Sequence, residues 1–82
     1  MEVRPEVAWF AEIMESQLRN NDHKGGWGNN WWLMRRLQEE FCEVMMIMSG
    51  AENGDIVKKC SDVANFAMMI ADNIAHVVPQ AR

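Results

Sequence analysis

Apolar side chains recur every three or four residues along most of this chain, and this spacing limits the possible folds more than any other feature. The clearest stripe, in the middle of the chain, consists of Met34, Leu37, Phe41, Val44 and Met48. A half-buried strand would instead need strict alternation of apolar and polar residues, and no segment of useful length shows it. The sequence therefore predicts an all-α protein.

The boundaries of three helices follow from this spacing and from the residues that begin and end helices. Pro5 suits the first turn of one helix, and Gly50 can close the next. Asp55 is a plausible N-cap for the third helix, which must stop before Pro79. The stripe of the third helix consists of Ile56, Cys60, Val63, Ala67, Ile70, Ile74 and Val77. We expect helices over about residues 5–19, 30–49 and 55–77.

The length of the chain predicts one domain with a thin core. Its 82 residues form a single domain, residues 1–82, and a domain this short buries only about 60% of the surface of its unfolded chain. The second and third helices can pack antiparallel through the short turn between them. We therefore expect a three-helix protomer that forms a helical bundle completed by self-association, as a dimer or a tetramer.

The composition narrows the partners of the chain. With 49% hydrophobic and 24% charged residues, the sequence is apolar enough to fold and too interrupted by charge to span a membrane. The net charge of -4 argues against a nucleic-acid polymer as partner, because phosphate backbones are bound by clusters of Lys and Arg. No run resembling a signal sequence follows the first residues, so we expect the cytoplasm. Cys42 and Cys60 lack the spacing of a zinc site, and we expect buried, reduced thiols.

Three carboxylates lie close together in the second helix. Glu39, Glu40 and Glu43 form the pattern EExxE, which places them on one side of a helix. Like charges at this spacing destabilise a helix by about 0.2–0.5 kcal/mol per pair, so a cation is expected to offset them. Two sources of that charge stay open: a hard cation such as Mg²⁺, or Arg35 and Arg36 on a solvated face. Glu40 and Glu43 lie about 110° from the centre of the apolar stripe, beside the helix seam.

A fourth carboxylate, Asp62, lies on the third helix among apolar neighbours, where an unpaired charge is costly. Glu43 is seven residues before Gly50, and Asp62 is eight residues after Gly54. In an antiparallel pair of helices these two carboxylates are therefore expected to come level. Two helices would then hold one ion between them.

These residues carry a resemblance. The pattern EExxE, followed by SDVANFAMMIADN from Ser61 to Asn73, resembles the MazG-like family of all-α nucleoside triphosphate pyrophosphohydrolases. The upstream segment that ends in HKGGW, residues 23–27, is similar to one branch of that family, and the likeness extends over about residues 9–74. The resemblance implies an enzyme that hydrolyses a nucleoside triphosphate to the monophosphate and pyrophosphate, with Mg²⁺ as cofactor.

The resemblance also implies roles for single residues. Glu40, Glu43 and Asp62 match metal ligands, and Glu39 matches a glutamate that orients or deprotonates the attacking water. Lys59 departs from the pattern, because it stands where the family has a glutamate and a protonated lysine cannot be an oxygen ligand. Three interpretations stay open: Lys59 contacts a substrate phosphate, pairs with a carboxylate in a homologue without catalysis, or faces water. The alternative to an enzyme is therefore a catalytically impaired homologue that binds nucleotides or proteins.

Aromatic and amide side chains are further candidates for contact with a nucleotide. The rings of Trp27, Trp31 and Trp32 can stack on a base, and packing against a partner subunit explains two of them equally well. Asn65 can hydrogen-bond a sugar or base, fix a metal-bound carboxylate, or join two helices. We expect Trp27, Lys59 and Asn65 to bind the substrate.

Overall fold

The computed structural model describes residues 1–21 and 26–76 of the chain. It contains three helices, α1 (Pro5–Asn20), α2 (Asn30–Met48) and α3 (Ile56–Ala75), and the described residues form no strand. The predicted all-α fold is confirmed, and α3 ends two residues earlier than expected. Val77, together with His23, Lys24 and Gly25 of the HKGGW segment, lies outside the described residues.

Side-chain caps fix where α2 and α3 begin. The Asn29 side chain accepts hydrogen bonds from the backbone N–H groups of Trp31 and Trp32, at 2.8 and 3.3 Å. The Asp55 side chain accepts one from the backbone N–H of Lys58 at 3.1 Å, as its predicted role as N-cap requires. These bonds satisfy N–H groups that have no partner within the helix itself.

The turn between α2 and α3 depends on two glycines. Gly50 has φ +82°, a conformation that other residues adopt at a cost, and its N–H donates to the Ile47 carbonyl at 3.1 Å. Gly54 lies so close to Ile47 that an added Cβ would stand 2.7 Å from the Ile47 Cδ1 atom. The turn therefore returns the chain tightly against the end of α2.

Helix α3 is the central element of the fold. It packs against α2 on one side and α1 on the other, whereas α1 and α2 make no packing contact within the described residues. The Asn65 side chain of α3 donates a hydrogen bond through Nδ2 to the Met14 carbonyl of α1 at 3.0 Å. Both outer helices are thus positioned by the surface of α3.

The face that α2 turns inward differs from the predicted stripe. Leu37 and Val44 are half-buried, but Met34 is exposed, and Phe41 and Met48 are 52% and 76% exposed. The inward face instead consists of Leu33, Leu37, Glu40, Val44 and Ile47, with Leu33 and Glu40 the most buried. The prediction was wrong because α2 is apolar on two sides, and spacing alone does not say which side meets α3.

The buried face of α3 also differs from its predicted stripe. Its most buried residues are Ser61, Asn65 and Met69, whereas Ala67 and Ile74 are exposed. Helix α3 packs against both other helices, and the row formed by Ser61, Asn65 and Met69 is its most buried part. Two of these three residues are polar. Leu33 and Met69 are the only fully buried apolar residues that the structure describes.

The two cysteines differ in exposure, and the length and hydropathy of the helices decide whether one of them could span a membrane. Cys42 is exposed, contrary to the prediction of a buried thiol, because it lies on the side of α2 away from α3; Cys60 is half-buried, and both thiols are free. None of the described helices is long and apolar enough to cross a membrane.

Candidate functional site

The alignment of α2 against α3 decides which site residues meet. Lys59 reaches Glu43, the Arg36 guanidinium lies 5.4 Å from the centre of the Phe66 ring, and further along Asn73 donates to Asn30 at 2.9 Å. These three contacts define one antiparallel register. In that register Asp62 comes level with the region of Glu40, one turn away from the predicted partner Glu43.

A groove of about 250 Å³ opens where the three helices meet, and we call it the three-helix groove. Residues from all three helices and from the end of α1 line it: Gln17, Leu18, Asn21, Trp32, Arg36, Glu40, Asp62, Asn65, Phe66 and Met69. Two predicted metal ligands and one predicted substrate contact thus line the same space. Arg36 and Phe66, to which the sequence analysis gave no role in binding, line it as well.

Glu40 is the most buried carboxylate of the site, at 6% exposed. Its Oε1 accepts from the Arg36 guanidinium at 3.1 Å, and its Oε2 accepts from the Lys59 ammonium at 3.2 Å. Burial raises the pKa of Glu40, and its hydrogen bond with Glu43 acts in the same direction, while Lys59 opposes both. The predicted position beside the seam was wrong, because Glu40 belongs to the face that meets α3.

Lys59 bridges two of the predicted metal ligands. Its ammonium lies 3.0 Å from the Glu43 Oε2 atom and 3.2 Å from that of Glu40, and its side chain is 29% exposed. The hydrogen bond to Glu43 raises the pKa of Lys59, so the ammonium stays charged. Of the three interpretations of Lys59, pairing with nearby carboxylates is the geometry found, and contact with a substrate phosphate stays a prediction.

Glu39 and Glu43 lie in a second depression, which we call the outer recess. It is formed mainly by Arg36, Glu39, Glu40, Glu43 and Lys59. Glu39 is half-exposed there and pairs with Arg36, and this hydrogen bond raises the pKa of Arg36. The expectation that arginine offsets the EExxE charges is met by Arg36. The structure therefore divides the carboxylates, with Glu40 between the two depressions and Asp62 in the groove alone.

The groove offers two carboxylates that a divalent cation would stabilise. Burial raises the pKa of Asp62, as it does for Glu40, so both are ionised at a cost in this position. Mg²⁺ is usually held by one or two carboxylates together with substrate phosphates, and Glu40 and Asp62 fit that requirement. Within the described residues, no group of three His, Cys, Asp or Glu side chains is arranged around one point.

The predicted substrate contacts lie at different places. The Trp27 indole N–H donates to the Asp72 carboxylate at 2.8 Å, and Asp72 is about 15 Å along α3 from Asp62. Trp27 is not among the residues that line the groove, whereas Trp32 is. Asn65 lines the groove and is 4% exposed, and its bond to Met14 also gives it the predicted role of joining two helices.

The opposite pKa shifts of Asp62 and Glu43 predict opposite effects of neutralising each residue. Because burial raises the pKa of Asp62, the folded state binds its proton more tightly than the unfolded chain, and the ionised form weakens folding. Asp62→Asn should therefore raise the melting temperature at neutral pH. The gain should shrink as the pH falls through the raised pKa, because wild-type Asp62 is then neutral too.

Glu43→Gln provides the comparison. Hydrogen bonds with Glu40 and Lys59 lower the pKa of Glu43, so its charge stabilises the fold above its usual pKa and that contribution is lost in acid. Its partly exposed ion pair is worth at most about 1 kcal/mol, and Glu43→Gln should lower the melting temperature at neutral pH by a correspondingly small amount. Calorimetric melting between neutral and acidic pH measures both. A lower melting temperature in Asp62→Asn would contradict the conclusion that burial destabilises the Asp62 charge.

Comparison of the chain with protein-family models, with curated proteins and with solved structures gives no match. The resemblance to MazG-like pyrophosphohydrolases therefore stays a prediction from the sequence.

Proposed function

We propose that the chain binds a nucleoside triphosphate with Mg²⁺ in the three-helix groove and hydrolyses it to the monophosphate and pyrophosphate. The observation that carries this proposal is that Glu40 and Asp62, both with pKa values raised by burial, line one groove together with aromatic side chains. Carboxylates whose pKa values are raised by burial are typical of functional sites when they lie together in a concave surface. Mg²⁺ and phosphates would replace the water that such carboxylates lack.

The residues have distinct roles in this proposal. Glu40 and Asp62 supply oxygen donors to the ion, which when bound neutralises phosphate charge and makes phosphorus more susceptible to attack by water. Arg36 and Lys59 supply positive charge on either side of Glu40 and can contact phosphate oxygens. Glu43 becomes a third ligand only when Lys59 leaves it.

Glu39 remains the candidate base, next to Glu40 in the sequence. It lies in the outer recess and pairs with Arg36, so its action on water requires Arg36 to turn toward the phosphates. One water molecule is consumed for each anhydride bond broken, its proton passing to the base and its oxygen to the attacked phosphorus.

A second candidate function is favoured by the position of Lys59. An ammonium that bridges Glu40 and Glu43 already supplies the positive charge that a metal would bring to the EExxE motif. In this alternative the chain binds a nucleotide, or a protein, without turnover. The two candidates differ in whether pyrophosphate is released and in whether the bound nucleotide needs Mg²⁺.

We also propose that a second copy of the chain covers the outer face of α2. Its residues recur at helical spacing and are all exposed: Trp31, Met34, Phe41, Met45 and Met48. With only two fully buried apolar residues among those described, the isolated protomer has little core to stabilise it. Burial of this face would add apolar area at about 25 cal/mol per Å².

The proposed reaction is tested by measuring pyrophosphate and monophosphate from a panel of ribo- and deoxyribonucleoside triphosphates, with Mg²⁺ and with EDTA. We expect release that needs Mg²⁺ and falls by about 10²-fold or more in Glu40→Gln and in Asp62→Asn. Glu15→Gln, on the exposed surface of α1, is the matched control and should be fully active. Absence of release from every triphosphate by folded protein would overturn the reaction.

Lys59→Glu distinguishes the two candidate functions. Exchanging the ammonium for a carboxylate adds an oxygen ligand between Glu40 and Glu43, so Mg²⁺ affinity measured by calorimetry should rise by about tenfold or more. Lys58→Glu makes the same change of charge at an exposed neighbour and should leave the affinity nearly unchanged. If turnover appears only in Lys59→Glu, the natural chain is a binding protein. If the natural chain has turnover and Lys59→Glu does not, the ammonium of Lys59 contacts the substrate.

Phe41→Glu tests self-association. A carboxylate in the middle of the outer face should shift the sedimentation coefficient of the wild-type oligomer to that of a protomer. Met46→Glu introduces the same group on α2 about 140° around the helix from Phe41, and should leave the oligomer intact. A monomeric wild-type protein would contradict the proposal directly.

A further inference from the structure

The carboxamide of Asn65 has one satisfied and one unsatisfied end. Its Nδ2 donates to the Met14 carbonyl at 3.0 Å, whereas its Oδ1 has no hydrogen-bond partner among the described residues. The residue is only 4% exposed, and it lines the three-helix groove. A buried acceptor without a partner is costly, and such atoms are uncommon in folded proteins.

The orientation of this amide is fixed by its surroundings. Rotating the group by 180° would place Oδ1 against the Met14 carbonyl oxygen, so that two acceptors faced each other. The end of the amide that has no partner is therefore an acceptor, and this oxygen is itself buried. A ligand that satisfies Asn65 must present a hydrogen-bond donor.

The aromatic residue Trp32 and the acidic residues of the groove around Asn65 lie toward different ends. Trp32 and Met69 lie toward one end and Glu40 and Asp62 toward the other. Trp32 and Glu40 are eight residues apart on α2, which is about 12 Å along the helix axis. A flat aromatic group suits the first end, and phosphates with a metal ion suit the second.

From this arrangement we infer that the end of the groove at Trp32 and Met69 is a nucleobase site, in which Asn65 Oδ1 accepts a hydrogen bond from the exocyclic amino group of the base. The inference rests on the proposed nucleotide ligand and adds its class: adenine, cytosine or guanine, in preference to uracil or thymine. In uracil and thymine the ring N–H lies between two carbonyl oxygens, which would be repelled by Asn65 Oδ1 and by the nearby Asp62 carboxylate.

The experiment compares nucleoside 5′-monophosphates that differ only in the amino group, titrated by calorimetry in EDTA. Adenosine is paired with purine riboside, guanosine with inosine, and cytidine with the riboside of pyrimidin-2-one. We expect the amino-bearing member of at least one pair to bind about tenfold more tightly, the effect of one hydrogen bond to a buried acceptor. Equal affinity within all three pairs, including no measurable binding of either member, overturns the inference.

Asn65→Leu assigns the preference to this residue. The variant should bind both members of the pair equally, while Asn73→Leu, which removes an amide from α3 outside the groove, should keep the wild-type preference. If Asn65→Leu does not fold by circular dichroism, the side-chain amide resonance of Asn65 in the wild-type protein replaces it. That resonance should shift with the amino-bearing nucleotide and not with its partner; the opposite result, or a preference retained in Asn65→Leu, overturns the assignment.

Monophosphates in EDTA separate this inference from the proposed reaction. They are not substrates for pyrophosphate release, so a preference for the amino group can be observed whether or not the chain is an enzyme. Release of pyrophosphate from all triphosphates at equal rates, without any preference in binding, would leave the reaction standing and remove the base site.

Discussion

Burial of the Glu40 carboxylate between α2 and α3 is the interaction on which the arrangement of the site depends. A charge at 6% exposure is tolerated only with partners, and here each carboxylate oxygen accepts from a different cation. Arg36 comes from the same helix, one turn earlier, whereas Lys59 comes from α3. The second of these contacts ties the two helices in one register, and that register brings Asp62 into the groove.

The central helix has its most polar residues at its most buried positions. The Ser61 hydroxyl donates a hydrogen bond to the Lys58 carbonyl within α3 at 2.6 Å, and the Asn65 Nδ2 group donates one to the Met14 carbonyl of α1. A structural core of this size gains more from apolar side chains at such positions. The Asn65 Oδ1 atom, buried and without a partner among the described residues, therefore costs folding free energy, and Asn65 lines the groove together with the carboxylates Glu40 and Asp62.

Lys59 changes the electrostatics of the site more than any other residue. It brings a positive charge between two carboxylates that the resemblance assigns to a metal, and it is held there by both of them. On the groove side, Glu40 and a second carboxylate, Asp62, line the same space. The site is thus asymmetric: the carboxylates of the outer recess are paired with cations, whereas the three-helix groove contains Asp62, whose charge is destabilised by burial.

Much of the fold could be predicted because its signals are local. Apolar spacing, Pro5, Gly50 and Asp55 determined three helices and their approximate ends, since propensity, capping and turn chemistry act within a few residues. The pattern EExxE likewise determined that three carboxylates would share one segment of α2. The same local signals could not place Trp27, whose partner Asp72 is distant in sequence.

Only the tertiary structure decided which faces meet. Phe41 and Met48 belong to the stripe that the sequence predicts as core and yet are exposed, whereas Glu40, predicted beside the seam, is buried. Helix α2 is apolar on two sides, and the choice between them depends on the shape and charge of α3, which no spacing within α2 records. The sequence likewise predicted candidate site residues on α2 and α3. The packing of α3 against the other two helices determined that Glu40, Asp62 and Asn65 line one groove and that Glu39 lies in the outer recess.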